Sequence, residues 1–593
     1  MMHHKMMSKS HGAAAAEGAP KAKMPKGYLL VAVVYLLGLC LGALDMSIVN
    51  PARTVIQNTM SIDDSLGVWI ITIYTLAYAA SIPVMGKLAD RHGRKSIYLL
   101  CVLLFGIGSL LCGISQSVGS FEMLLFARIV QALGGGGIMP VATAEFGTAF
   151  PEEMRGMALG IVGMVYGLAS ILGPSVGSAI LDIFGQTQWQ YIFFLNVPIC
   201  LAILIIGPKR MKNAKMDDVK PIDGLGILLL TCMTLSLMYG LKNINFFNFA
   251  ESVQETTVWP FLLVFVLLLP LFVLREKRAA DPIMNLSYFK NANIIITLLC
   301  AVVSGIVMMG TIFFPQFCEN AMMMKSGSGG YLLAILGVGT AFGAMDSGKL
   351  IDQHGVRPVL AAGFVGAIAG SLFMAFVACE YPSTLTVCAT MLITGLGLGF
   401  TMGTPLNYMM LQNTDDAESS SALATMSLVR SIGTAVAPAI MVAFIVHASA
   451  GMQTALMEAM PKVPGMSAAM TQQAEPGTTT MELSPQTLEQ LQNSDVTTVV
   501  DACKSIATDM FSQMEATDKA SAPMIEKARD AYLAQIDDAA EDIQIAYQQT
   551  MNGGFRGMAI FVTICAALGL LLLIPYKEKR PAKAEKAAKA VEA

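Results

Sequence analysis

Fourteen apolar runs, each roughly twenty residues long, pace this chain at about 28–50, 66–85, 97–115, 121–141, 157–180, 190–207, 222–241, 258–274, 292–314, 330–347, 358–379, 384–405, 420–447 and 557–576. A helix of ~20 apolar residues covers the roughly 30 Å hydrocarbon core of a bilayer. Fourteen membrane crossings are therefore expected. With 54% hydrophobic and 13% charged residues over 593 positions, the chain is too apolar for a soluble protein of ordinary composition. The expected fold class is all-α and polytopic. Bases crowd one set of connections: Arg91, Arg94 and Lys95; Lys209, Arg210, Lys212 and Lys215; Arg275, Lys277 and Arg278. Lys and Arg in short loops mark the cytoplasmic side, which puts both termini inside and the chain in the plasma (cytoplasmic) membrane. The first run is too long for a signal-peptide core and carries Asp45, so it reads as a retained helix.

Between the second and third runs lies Gly86-Lys87-Leu88-Ala89-Asp90-Arg91-His92-Gly93-Arg94-Lys95, read as a charged loop making a tight turn. Gly86 and Gly93 remove side chains where helix ends must approach or turn. Asp90 is an acid among bases, suited to accept hydrogen bonds from the free N–H groups of another helix's N-terminus. A second copy, Gly348-Lys349-Leu350-Ile351-Asp352-Gln353-His354-Gly355-Val356-Arg357, again separates two apolar runs, which indicates duplicated halves. Both stretches resemble the loop between the second and third helices of major facilitator superfamily transporters, G-x-L-a-D-r-x-G-r-k. The resemblance implies two six-helix bundles around a central cavity, with the runs at 222–241 and 258–274 as an inserted pair.

Asp45 has the most to explain, because an acid inside a span costs roughly 2.5–3.5 kcal/mol on insertion scales. It lies about 25 Å along its helix at 1.5 Å per residue, and Arg128 lies about 10 Å from the outer end of the fourth span, so the two reach comparable depths. Two readings stand. Either a carboxylate gains and loses a proton under the opposing pulls of the cation and of desolvation, or a static buried pair joins two helices. Leu44-Asp45-Met46-Ser47-Ile48-Val49-Asn50 resembles the first-helix signature l-D-x-T-i-V-N of the fourteen-span drug:proton antiporter family. Arg128-Ile129-Val130-Gln131-Ala132-Leu133-Gly134 resembles the fourth-helix R-x-x-q-G-x-G, with Ala132 in place of a glycine. Gly173-Pro174-Ser175-Val176-Gly177-Ser178 resembles G-P-x-x-G-G, an element associated in the family with exporters, and should bend its helix and pack it tightly.

Trp189-Gln190-Tyr191-Ile192-Phe193-Phe194-Leu195-Asn196-Val197-Pro198 resembles W-r-W-i-F-y-i-N-v-P; its aromatics suit an interfacial belt and read as an anchor. Arg430-Ser431-Ile432-Gly433 resembles R-x-l-G, and a buried Arg430 requires a partner or water. Its helix starts at Ser419-Ser420-Ser421, N-capping residues whose dipole is a candidate partner for Asp90 when the inner side is closed. After the first-helix signature, Pro51 and Arg53 depart from the family, pointing to an outer mouth of different selectivity. Asp346 and Glu145 read as solvated helix ends.

The chain divides on this reading into a tail at 1–27, a six-helix bundle at 28–210, the inserted pair at 211–280, five helices at 281–449, an external segment at 450–553, a last span at 554–576 and a tail at 577–593. Residues 451–552 carry 15 Asp and Glu against 5 Lys and Arg, as an external segment should. Within it Val499, Ala502, Ile506, Met510 and then Ile525, Ala528, Tyr532, Ile536 recur at helical spacing, predicting a small cap; residues 463–484 read as irregular. The 11 cysteines show no ligand spacing, His3 and His4 are too few for a metal tract, and a Cys318–Cys503 disulfide is not expected. The 42 methionines, scattered along the chain, read as filler.

The function expected is export of apolar or cationic drugs in exchange for protons, with Asp45 titrating and Arg128 modulating it. Partners are small molecules, protons and lipid; no cofactor and no nucleic acid are expected, and an adaptor protein is not indicated. No G-x-x-x-x-G-K-[ST] motif is present for ATP-driven pumping, and no catalytic constellation is seen, so the chain does not read as an enzyme. Rival readings are an exporter of one metabolite or lipid, and a membrane-tethered recognition module acting through 450–553.

Overall fold

The computed structural model describes residues 28–49, 52–60, 62, 64–67, 69–150, 152–211, 223–244, 246, 248–279, 282–321, 324, 329–415, 418–461, 499–517 and 522–578. The stretch 463–484 and the tails at 1–27 and 579–593 lie outside them. The first half comprises α1 (Tyr28–Ile48), α2 (Trp69–His92), α3 (Arg94–Val118), α4 (Phe121–Ala149), α5 (Glu152–Phe184) and α6 (Asn196–Arg210). The inserted pair is α7 (Gly224–Lys242) and α8 (Trp259–Arg278). Then come α9 (Ala292–Gly310), α10 (Gly329–His354), α11 (Val356–Phe373), α12 (Thr384–Met402), α13 (Ser419–Ala450), a hairpin of α14 (Val499–Thr517) and α15 (Ala522–Asp538), and α16 (Ala540–Leu572).

Among the described residues thirteen helices are long and apolar enough to cross a membrane. α10 packs closely on α12: a Cβ on Gly343 would stand 2.5 Å from the Leu396 carbonyl. Helices this close need glycine at the seam. The α1–α6 bundle and the bundle of α9–α13 with α16 meet along two seams, α5 against α10 and α2 against α13. The inserted pair lies outside them, α7 against α2 and α13, with α8 showing Leu263, Val266, Leu267 and Leu271 to the surroundings. Asp223 caps α7, and hydrogen bonds from Arg275 of α8 at 2.9 and 3.0 Å hold its carboxyl below the usual range.

The expected loop at 86–95 proves to be helix on either side of a single residue. α2 runs to His92, α3 begins at Arg94, and only Gly93, at φ 91°, breaks them. Gly355, also at φ 91°, separates α10 from α11 in the same way. Leu, Ala, Lys and Arg are good helix formers, so the charges ride on helix ends. A positive φ suits glycine alone, and Gly93→Ala should destabilise the protein by about 1–2 kcal/mol, read as a lowered melting temperature of the purified protein. A Cβ on Gly355 would in addition meet the Glu578 carboxylate at 2.2 Å.

Other expectations shift at their edges. α16 is continuous through the predicted break near residue 553, since Gly554 serves packing: its Cβ position lies 3.1 Å from the Ala448 side chain on α13. The cap helices exist: Val499 of the predicted set is buried on α14 with Cys503, Ala507 and Phe511, and Ile506 is half-buried against them. Tyr532 and Ile536 are buried on α15, where Ala528 is exposed. Phe511 and Tyr532 stack the hairpin together at 5.7 Å, and Lys504 pairs with Asp537 at 2.5 Å. Glu145 is no solvated end; it accepts from the Tyr28 hydroxyl at 3.2 Å and pairs with Arg94 at 3.6 Å. Asp346 is exposed and pairs with Lys349 at 3.4 Å.

Candidate functional site

Asp45 is fully buried in α1 and faces α4 and α6 rather than lipid. Three donors converge on it. Arg128 Nη1 donates to Oδ2 at 3.0 Å, while Gln131 Nε2 and Asn196 Nδ2 donate to Oδ1 at 2.8 and 3.0 Å. Arg128 and Gln131 share one face of α4 because they are three residues apart, and Arg128 Nη1 also donates to Gln131 Oε1 at 2.6 Å. The guanidinium lies 3.9 Å from the centre of the Tyr74 ring and sends Nε to the Ile70 carbonyl at 3.3 Å. Ser109 on α3 accepts from both amides, at 2.8 and 3.3 Å. Three N–H donors on its two oxygens suit a carboxylate rather than a carboxylic acid. Gln131 and Asn196 were not singled out from sequence, although neutral amides inside apolar runs are a signal of this kind.

Gly173 lets α5 close onto α1 beside Asp45. A Cβ there would come within 2.0 Å of Ser47 Oγ and 2.9 Å of the Leu44 carbonyl, while Ser47 Oγ donates to the Ser170 carbonyl at 2.6 Å. Pro174 lies inside α5, and Gly177 is buried one turn on. Gly173→Val should force the two helices apart, and we expect loss of folded protein at membrane extraction, read as aggregation in size-exclusion chromatography. The aromatic stretch after α5 is no surface anchor: Trp189, Ile192 and Phe193 are buried against α3 and α4, and Tyr191 alone of its aromatics is exposed.

At the face carrying the two glycine turns, both seams are tied. Asp90 accepts the backbone N–H groups of Ser420 at 3.0 Å and Ser421 at 2.6 Å at the start of α13. Asp352 accepts those of Gly156 at 3.1 Å and Met157 at 3.2 Å near the start of α5. Gly86 allows the first contact, since its Cβ position lies 2.4 Å from Ala424. Arg94 donates Nε to Ser420 Oγ at 3.3 Å and also reaches Thr148, so it ties α3, α4 and α13. Arg91 is half-buried in a crevice it shares with Lys87 and Asp223.

Opposite this closed face a cavity of about 1130 Å³ opens between the bundles. Met46, Thr75 and Tyr78 line it from the first half, Met308, Met402 and Arg430 from the second, and Met238 and Lys242 from the inserted α7. Arg430 lies in its wall, and no partner meets its Nε or Nη2. Six of the 29 lining residues are methionine, against 42 in 593 overall, so scatter along the chain becomes concentration in space. Among the described residues no group of His, Cys, Asp and Glu is arranged for a metal, and no disulfide joins the cysteines.

The family profile described as Major Facilitator Superfamily matches residues 35–438. The uncharacterized MFS-type transporter YfiU of Bacillus subtilis is 34% identical over 417 residues, covering 70% of this chain and 79% of that one. Multidrug resistance protein 3 of the same organism is 29% identical over 67% of this chain and 76% of its own length. Multidrug export protein EmrB of Escherichia coli is 28% identical over 58% of this chain and 63% of its own. Among solved structures, the human organic anion transporter MFSD10 superposes with a TM-score of 0.51 at 14% identity, over 71% of this chain and 94% of that one, a likeness of fold. With two bundles, paired glycine turns and a cavity between them, the chain belongs to the major facilitator superfamily, and within it fits the drug:proton antiporters.

Proposed function

We propose that this protein exports apolar small molecules across the plasma membrane in exchange for protons entering the cell, as a multidrug transporter that confers resistance. The observation that carries the reading is Asp45: a buried carboxylate held by three N–H donors, one residue from Met46 on the cavity wall. The basic turns mark the tied face as cytoplasmic, so the conformation described is open outward with its inner side shut. Protonation of Asp45 from outside loosens Arg128 and the bonds between α1, α4 and α6. Coupling needs proton and substrate to favour different conformations, and a carboxylate bonded differently in the two states supplies that difference. The names of the multidrug relatives support the substrate reading.

The test is a substrate screen in proteoliposomes under an imposed pH gradient. Uphill accumulation that collapses when a protonophore dissipates the gradient is expected. Accumulation indifferent to the gradient removes proton coupling, and transport of one metabolite alone moves the protein to the rival class of dedicated exporter.

A further inference from the structure

The cavity carries charge of one sign. Among its described lining residues are Arg53, Lys242 and Arg430, and none is Asp or Glu. The buried acid nearby, Asp45, is already engaged by Arg128 and two amides, so it does not balance them. A chamber built for cations would need the reverse arrangement.

Arg430 sharpens the point. It lies eleven residues into α13, about 16 Å from its start and so well inside the membrane. It is 6% exposed, and its Nε and Nη2 meet no acceptor. The two buried arginines of this protein thus differ: Arg128 has a carboxylate, a carbonyl and a ring around it, whereas Arg430 has the cavity. A guanidinium buried without a counter-ion is costly, and its planar fork matches a carboxylate with two parallel hydrogen bonds. Around it Met139, Met308, Met309 and Met402 offer soft apolar surface that accepts bodies of varied shape.

We infer that the cavity binds amphipathic organic anions, with the carboxylate on Arg430 and the apolar body among the methionines. The assignment rests on the reading of this cavity as the transport chamber, and it replaces the expectation of cationic substrates. Lys242 and Arg53, also in the cavity wall, draw the anion in, since a low-dielectric cleft lined by one sign of charge focuses the field. Lys242 reaches Thr72 on α2, so the inserted pair contributes to selectivity.

The test uses the purified full-length chain in nanodiscs with three probes sharing one apolar body: 4-(1-pyrenyl)butanoate, the corresponding butanol and the corresponding trimethylammonium. Saturable binding above that of empty nanodiscs is measured without any gradient. The butanoate should bind at least about tenfold tighter than the alcohol, as a charge-assisted bond implies, and the cation weakest. Arg430→Gln should bring the butanoate to the level of the alcohol, and Arg430→Lys should recover part of the difference. Equal binding of all three probes, tightest binding of the cation, or an Arg430→Gln loss common to all three in a protein of unchanged melting temperature overturns the assignment. If Arg430→Gln does not fold, the ranking on the unmodified protein decides by itself. Because no gradient is present, failure of proton coupling leaves this ranking standing, and a cavity blind to head-group charge leaves proton-coupled export standing.

Discussion

Asp45→Asn is expected to reduce uphill transport in proteoliposomes to background while the protein remains folded in the membrane and still passes substrate down its gradient. Asparagine keeps the shape of the side chain and one acceptor oxygen for the amides of Gln131 and Asn196. It removes the charge that Arg128 faces at 3.0 Å and, on the function proposed, the group that exchanges a proton. Arg128 then retains the Ile70 carbonyl, Gln131 Oε1 and the Tyr74 ring. Breaking a buried pair destabilises by roughly 3–5 kcal/mol when nothing else compensates, and with those partners left the loss should fall at the lower end. The double variant Asp45→Asn with Arg128→Gln separates the two readings of the pair. If the pair is only a strut, removing both charges restores stability and uphill transport together. If Asp45 carries the proton, the double variant regains stability and stays uncoupled. Uphill transport by the single variant at the unmodified rate would take Asp45 out of the mechanism.

The Asp45 and Arg128 placement was legible because helical rise converts residue number into depth, and two charges at one depth in lipid have few alternatives to each other. The partners Gln131 and Asn196 were less so. A neutral amide in an apolar run carries a smaller penalty than a charge, and Asn196 sits in an aromatic stretch whose composition points to the membrane surface. Trp189 misled for the same reason: composition distinguishes apolar from polar but does not say which apolar faces are shared with other helices. The positions of the spans followed from run length, because a helix that crosses lipid must be apolar over about twenty residues. The methionine lining depends on how Met46, Met139, Met238, Met308 and Met402 rotate about five separate helix axes, which residue spacing within any one of them does not determine. The decapeptide repeat was legible as duplication, and its conformation was not, since one positive-φ glycine between two helices makes the same pattern as a ten-residue loop.

Asp90→Asn and Asp352→Asn, combined, should unlatch the tied face, and the effect can be read at four backbone amides. Those of Ser420, Ser421, Gly156 and Met157 bond to carboxylates across the seams. Ser420 and Ser421 lie in the first turn of α13, where backbone donors lack intrahelical acceptors, so they depend on Asp90 for protection. Gly156 and Met157 are instead the fifth and sixth residues of α5 and bond Asp352 in addition to the i−4 carbonyls of their own helix. Each carboxylate accepts two charge-assisted bonds and sits at the positive end of a helix dipole; an asparagine keeps one acceptor and loses the charge. A hydrogen bond to a charged group contributes about 1.5–3 kcal/mol, so Asp90→Asn should raise hydrogen exchange at Ser420 and Ser421 by roughly ten- to a hundredfold. Asp352→Asn should raise it less at Gly156 and Met157, which keep their helix acceptors. The seams lie in different helix pairs and should add. They are not equivalent, however. The Asp90 seam keeps a second tie after substitution, from Arg94 Nε to Ser420 Oγ at 3.3 Å. The Asp352 seam is backbone against backbone, with a Cβ on Gly348 only 2.4 Å from the Gly156 carbonyl. Exchange at Ser420 and Ser421 should therefore rise further when Asp90→Asn is combined with Arg94→Gln, while exchange at Gly156 and Met157 should not respond to Arg94. Exchange at all four amides unaltered in the double variant would mean that sterics, not the carboxylates, keep this face shut.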